Sequence, residues 1–241
     1  MKKDLTRAEA SNQEAWPDSR QLYQCRRLDQ IAARWDAKAP TWDAELQSPL
    51  CHLNEDKAYP RFVRETRDLI LSRRDFCAPC GLIEAGCGTG LVLSELVAFF
   101  AWAIGVDISP AMIARAKAKN IPKATFIVGD CFKLSDSCVP AGAIISRGVL
   151  LSHYGHRAGV PLLSAAHAAL VPGGFAVFDF LNQAGRAKAT HAPDHKQYFT
   201  RSEVLALARN AGFGRATILG TDDQRILLLV GERSEKQEVL T

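Results

Sequence analysis

Between residues 84 and 130 the chain sets out side chains and bare backbone suited to holding a polar ligand. Glycines stand at 86, 88 and 90 in "LIEAGCGTGLVLSEL", between an apolar run and an apolar-periodic segment. Such a turn lets a ligand approach the backbone closely, and the N–H groups opening the next helix favour an anionic group. A dinucleotide-binding GxGxxG turn would place its third glycine at position 91, which is Leu91, so the pyrophosphate fingerprint fails. Three acids, Glu84, Asp107 and Asp130, recur at about one per predicted strand. Taken singly, such an acid is as often a helix cap and such a glycine only a turn residue; the ordered set points to a ligand. Further along, "GVLLSHYG" supplies His153 and Tyr154, with His156 just beyond. Histidine titrates near neutrality and can take a proton from a hydroxyl or orient an acceptor, whereas Tyr154 can only orient.

These residues need a frame that gathers strand ends. After residue 80, short apolar runs ("GLIEA", "AWAIGVD", "ATFIVGD", "GAIISR", "GFAVFDFL") alternate with amphipathic ones, which predicts βαβ units and a parallel sheet covered on both faces. The carboxyl ends of its strands form the crevice, where an acid closing strand two can accept hydrogen bonds from ribose hydroxyls. Only "TDDQ" separates the last two runs, "RATILG" and "RILLLVG", too few residues for a helical crossover, so an antiparallel hairpin is expected. Ser109 before Pro110 reads as an N-cap, "TRSE" at 200–203 as a capping box, and Gly212 as the residue ending that helix. "VPGG" at 171–174 reads as a turn delivering the chain to a strand from Phe175. The tail from Glu232 is polar and expected to fray.

Composition removes several classes of function. Thirty Lys+Arg against 26 Asp+Glu give a net charge of +4 over 241 residues, with the basic residues scattered; nucleic acid is not expected as a partner. The N-terminus lacks an apolar h-region, and the longest apolar stretch, 91–106, is broken by Ser94 and Glu95, so a soluble cytoplasmic protein is expected. Seven cysteines, an odd number without dense spacing, read as reduced thiols. "CAPC" at 77–80 resembles half of a zinc or redox motif, but no second CxxC follows, and a structural zinc takes about four ligands. No metal is expected.

The ordered set "EAGCGTG", "GVDISPAMIARAKAK", "FIVGDCFKL", "GAIISRG" and "LVPGGFAVFDFL" resembles the class I S-adenosylmethionine-dependent methyltransferases over roughly residues 82–231. The resemblance implies a doubly wound, mostly parallel seven-stranded Rossmann-like sheet with an antiparallel last strand. Residues 81–241 would form the catalytic domain and residues 1–80 a helical lid over the substrate. It implies S-adenosylmethionine as cofactor, with Gly86, Gly88 and Gly90 under its methionine part and ribose. Glu84 would hold its amino group and Asp107 its ribose hydroxyls. Ile108 and Met112 would pack on the adenine, with Asp130 and Cys131 reading its edge. Cys87, Phe132, Ser146 and Arg147 complete the implied cofactor set. "RWDAKAPTWDAEL" is similar to an aromatic-Asp pattern in the family's lids, so Trp35 or Trp42 would close over the methionine end. Arg61 or Arg64, on the last helix before strand one, would pair with its carboxylate.

No Asn-Pro-Pro-aromatic segment follows strand four, which argues against amino methylation of bases and leaves a small-molecule acceptor, an oxygen or nitrogen nucleophile, as the first expectation. An RNA methyltransferase and a non-catalytic cofactor-binding partner protein are the alternatives. A nicotinamide-dependent reductase would want the missing glycine and a Tyr-x-x-x-Lys pair. The segment 182–199 carries Arg186, Lys188, His191, His195 and Lys196 against the single acid Asp194, so an acidic acceptor is expected. His153 and Tyr154 are the candidate catalytic residues, with His153 as base or as positioning group.

Overall fold

The computed structural model describes residue 23 and residues 26–47, 57–148, 150–188 and 196–235. Trp16, Cys25, Cys51, His191, Asp194 and His195 lie outside the described residues, as does the side chain of Lys188. Ahead of the sheet come α1 (Leu28–Lys38), α2 (Trp42–Gln47), α3 (Ala58–Leu71) and the single turn α4 (Arg74–Cys77). Then follow β1 (Gly81–Ala85), α5 (Leu91–Leu96), β2 (Trp102–Asp107), α6 (Pro110–Ala118), β3 (Ala124–Val128), α7 (Leu134–Ser137) and β4 (Ala141–Ser146). The chain continues through α8 (Leu150–Ala168), β5 (Leu170–Asn182), β6 (Tyr198–Phe199), α9 (Arg201–Asn210), β7 (Arg215–Leu219) and β8 (Ile226–Glu232).

The sheet order is β3-β2-β1-β4-β5-β8-β7. Neighbours are parallel except that β8 runs antiparallel to both β5 and β7. The mostly parallel sheet with a reversed last strand is as the sequence indicates. An eighth strand was not foreseen: β6 pairs with the end of β5 through Leu181↔Tyr198 and Asn182↔Phe199, and two residues carry no periodicity. Chain order reverses between β1 and β4, which opens the crevice at their carboxyl ends.

Every residue of β1 and β4 is buried, the signature of a sheet covered on both faces. Ile83, Ile144, Phe178 and Leu229 face one apolar cluster, beneath α8 and α9. Their neighbours Leu82, Ala143, Val177 and Leu228 face the other, which holds Phe62, Ile70 and Leu93 from α3 and α5. Each fully buried Leu, Ile, Val or Phe side chain among them contributes about 1.5–3 kcal/mol.

The caps form as read. Ser109 Oγ accepts from Met112 N at 3.1 Å, Thr200 and Glu203 make a reciprocal capping box, and Gly212 follows α9 with φ +100°. Two readings need correction. β5 begins at Leu170 and absorbs "VPGG" as an irregularity, with a register shift against β4. Glu232 does not begin a loose tail: it lies in β8 opposite Phe175 and Arg215 and accepts from Arg73 Nη2 at 2.7 Å.

Candidate active site

The glycine turn is tied to the end of β2. Gly86 and Cys87 donate their N–H groups to Val106 O at 2.8 and 3.0 Å. Gly88 N–H reaches Asp107 Oδ2 at 2.8 Å, and Ser109 N–H reaches Oδ1 at 2.9 Å. Gly88 has φ +52°, and a Cβ there would sit 3.2 Å from Trp42 Nε1, so bare backbone is what lets the indole lie on the turn. Gly90, at φ +77°, opens α5 with its missing Cβ 2.8 Å from the Phe126 ring. Glu84, 2% exposed, accepts from Leu93 N at 3.0 Å. Burial pushes its carboxyl up to about 8, against that backbone bond, with the nearby Asp107 adding to the rise. Burial also raises Asp107, against the N–H donors of Ser109 and Gly88. Two carboxyls thus share one dry chamber, an arrangement that favours a cation or hydroxyl donors between them.

The segment before the sheet roofs this chamber through two Trp-Asp dipeptides. Asp36 accepts from Ala111 N at 2.9 Å and from the Ser109 hydroxyl, at the start of α6. Asp43 accepts from the Thr89 hydroxyl in the glycine turn and lies 2.9 Å from Lys119 Nζ. Burial raises Asp43, but those two partners outweigh it and hold it below the ordinary carboxylate range. The tryptophans point inward: Trp35 and Trp42 meet edge to face at 5.2 Å. Trp35 Nε1 donates to Tyr23 Oη at 2.8 Å, and the Tyr23 ring lies 4.5 Å from that of His153.

Another part of the wall comes from the first turn of α8, which is broken from the rest at Gly155 (φ 69°, ψ −167°). Ser152 fixes it, accepting from Leu181 N at 2.8 Å through Oγ and from Gln197 N at 2.8 Å through its carbonyl. His153 and Tyr154 are buried beside it. Burial drives the Tyr154 phenol well above its ordinary range, so it stays protonated and can orient but not act as a base. Asp179, in the apolar run of β5, accepts from Gly148 N at 3.1 Å and so holds the loop after β4.

Together these elements enclose a cavity of ≈ 330 Å³. Of the residues expected at a site, Glu84, Gly86, Cys87, Gly88, Asp107 and Asp130 line it. So do Ile108, Met112, Cys131, Arg147, Trp35, Trp42, His153 and Tyr154. Asp130 pairs with Arg26 and accepts from Phe132 N at 3.0 Å.

Other expected residues lie outside the lining. Gly90 serves the turn, and Phe132 packs edge-on to Tyr154 at 4.7 Å beneath the Arg26 guanidinium. Ser146 is buried, with its Oγ unpartnered among the described residues. Arg61 and Arg64 are corrections. Arg61 is buried and donates to Ile226 O on β8; the Arg64 side chain is 63% exposed and 3.8 Å from Glu65. α3 therefore turns neither toward the cavity. The sequence reading missed Tyr23, Arg34, Lys38, Thr89 and Leu150, which line it, and did not place Lys196 there. An acid inside "FAVFDFL" was the available signal for Asp179.

A family model described as "Methyltransferase domain" matches residues 82–174, the segment that carries the glycine turn and both buried acids. That segment, residues 82–174, is similar to a methyltransferase domain. The magnesium-protoporphyrin O-methyltransferase of Rhodobacter capsulatus is 44% identical over 77 residues, 28% of this chain and 34% of the relative. The demethylmenaquinone methyltransferase of Mycolicibacterium vanbaalenii is 27% identical over 105 residues, 44% of this chain and 41% of the relative. The matches thus span well under half the length of these curated relatives. Among solved structures, magnesium protoporphyrin IX methyltransferase from Synechocystis PCC 6803 with bound SAM superposes with a TM-score of 0.64 at 17% identity, covering 92% of this chain and all of that one. An S-adenosylmethionine-dependent methyltransferase from Clostridium acetobutylicum gives 0.66 at 11%, covering 79% and 97%. At these identities the superpositions speak for the fold alone.

The resemblance implies S-adenosylmethionine as cofactor, and the residues lining the cavity fit its chemistry. They offer a buried carboxyl at Glu84 for an ammonium, an acceptor pair on Asp107 for hydroxyls, and aromatic and apolar walls for a base. Ser146 Oγ, buried and unpartnered among the described residues, is a further polar group beside it. Among those residues no helix is long and apolar enough to cross a membrane.

Proposed function

We propose that this protein transfers a methyl group from S-adenosylmethionine to a nucleophilic atom of a small-molecule acceptor. The observation that carries the reading is one cavity lined both by the glycine turn, Glu84 and Asp107 and by His153 and Tyr154. The cofactor supplies a methyl group already activated by its sulfonium charge, so the chain's own task is to bind, orient and exclude water.

Glu84 takes the amino group and Asp107 the ribose hydroxyls. Ile108 and Met112 lie against the adenine, with Asp130 and Cys131 at its edge. Arg147 is buried, lines the cavity and stacks 4.9 Å over the Tyr59 ring. It replaces Arg61 and Arg64 as the partner of the cofactor carboxylate. Trp35 and Trp42 roof the chamber against water, Tyr154 orients the acceptor, and His153 positions it or takes its proton. The relatives named after magnesium protoporphyrin and demethylmenaquinone support a small-molecule acceptor. The free thiols of Cys77, Cys80, Cys87, Cys131 and Cys138 agree with a reducing, cytoplasmic setting.

The test is incubation of the purified chain with methyl-labelled cofactor and fractionated cell extract. Label in a low-mass product, with S-adenosylhomocysteine formed in step, is expected. Label confined to RNA or protein, or no cofactor binding by calorimetry, overturns the reading.

A further inference from the structure

A second cavity, of ≈ 340 Å³, adjoins the first and shares His153, Tyr154 and Lys196 with it. Its lining is basic: His156, Arg157, Arg186 and Lys196 all contribute, and among its described lining residues there is no carboxylate. The acids near these groups stand outside it. Glu203 lies 3.5 Å from His156 Nε2 at the exposed edge, and Asp179 is the buried acid nearest in effect to Lys196. The Arg186 guanidinium lies 4.9 Å over the Tyr198 ring, against this wall. Tyr198 is 5% exposed, and its hydroxyl has no hydrogen-bond partner among the described residues. A buried hydroxyl left without a partner costs about 1–3 kcal/mol, so an acceptor atom brought within its reach would be favoured.

We infer that this second cavity is the acceptor's anion subsite, which seats a carboxylate borne by the acceptor while its nucleophile passes His153 into the first cavity. The inference rests on the methyl-transfer reading and adds to it the class of acceptor, an organic acid. Lys196 supplies a cationic donor at the shared wall, Tyr198 a neutral one on the second cavity's own wall, and Arg157 and Arg186 supply charge. Lys196 is 9% exposed. Burial pulls its ammonium down to about 7, Asp179 opposes that fall, and Arg225, Lys38 and Arg34 add to it. An anion seated beside it restores its charge, because opposite charge favours the ionised form.

The experiment is calorimetry on the full chain saturated with S-adenosylhomocysteine, using 4-phenylbutyrate as probe and 4-phenylbutyramide as its neutral match. The carboxylate is expected to bind at least about tenfold more tightly than the amide. Arg157→Ser with Arg186→Ser should abolish that preference, while the Kd for S-adenosylhomocysteine stays unchanged. Tyr198→Phe, which removes only the oxygen, should lower carboxylate affinity by about threefold or more and leave the amide unaffected. Equal affinity for acid and amide, no binding of the acid at about millimolar concentration, or a preference that survives the double substitution overturns the inference. Failure of S-adenosylhomocysteine to bind, with the carboxylate preference intact, instead overturns the methyl-transfer reading and leaves the anion site standing.

Discussion

Gly88 donates its backbone N–H to Asp107 Oδ2 at 2.8 Å: the acid that closes β2 is held by the turn beside it. With Ser109 N–H on the other oxygen at 2.9 Å, the carboxylate is oriented before any ligand arrives, and its remaining lone pairs face the cavity. Preorganisation of this kind lowers the cost of ordering a binding group.

Asp107→Ala should therefore act twice. Cofactor affinity should fall by about 10² or more, because hydrogen bonds to a charged acceptor contribute about 1.5–3 kcal/mol each. The ligand-free protein should also lose about 1–3 kcal/mol, because two buried N–H groups lose their acceptor. Calorimetry with S-adenosylhomocysteine and urea unfolding measure the two effects separately. A variant with wild-type affinity removes Asp107 from the site.

Glu84 gives a pH signature. Its folded-state value of about 8 lies above the ordinary 4.5. Below about 4.5 both states hold the proton. Between there and about 8 the unfolded chain releases a proton that the folded chain keeps, so stability falls as pH rises, by up to about 1.4 kcal/mol per unit. The raised Asp107 acts with the same sign. Unfolding of ligand-free protein at pH 5 to 8 should show this decline, and Glu84→Gln should flatten it. A cofactor ammonium favours the ionised carboxyl, so binding near neutrality should release a proton, seen as a buffer-dependent binding enthalpy. An equal decline in the glutamine variant assigns the slope to other groups.

His153 separates base from positioning group. If it accepts a proton, His153→Ala and His153→Gln both lose about 10² in kcat, and the pH-rate limb near neutrality disappears. If it positions the acceptor, the glutamine variant keeps turnover and the same pH profile, whereas the alanine variant raises KM. Its ring contact with Tyr23 at 4.5 Å means that Tyr23→Leu should disturb turnover in either case.

The glycines of the turn differ in what replacement would meet. A Cβ on Gly90 would lie 2.8 Å from the Phe126 ring, whereas one on Gly86 would come no nearer than 3.7 Å, to Leu150. Both have positive φ. Gly86→Ala should cost about 1–2 kcal/mol from backbone strain alone, and Gly90→Ala should exceed it by about 1–3 kcal/mol of overpacking. Urea midpoints at constant m-value check the order.

The frame was legible because it is written in local pattern: apolar runs, turn glycines, caps and acids at strand ends lie within a few residues of the structure they make. Trp35 and Trp42, expected near the site from their pattern, line the cavity. What escaped depends on contacts across the chain. Arg61 and Arg64 share α3, but which way that helix turns is settled by β8, whose Ile226 carbonyl takes the Arg61 guanidinium from 165 residues away. Tyr23 reaches the cavity only because Trp35 and His153 meet it there. Lys196 read as one more loop charge, and its burial follows from a strand, β6, of two residues.

The two Trp-Asp dipeptides carry a thermodynamic obligation. Asp36 is anchored at the start of α6 and Asp43 in the glycine turn, so the roof fastens to the same two loops that contact the cofactor in the proposed reading. Binding events that share such an element are coupled, and the coupling is reciprocal. Whatever favours the fastened roof favours a held cofactor by the same factor, and a held cofactor protects the roof from opening. Asp36→Ala with Asp43→Ala should thus speed release of S-adenosylhomocysteine although neither acid faces it. By the same linkage, S-adenosylhomocysteine should slow proteolysis and amide exchange in residues 28–47 of the wild type, and lose that effect in the double variant. On the proposed reading, the roof would report occupancy of the site below it, and release of the product would follow how often two carboxylates let go.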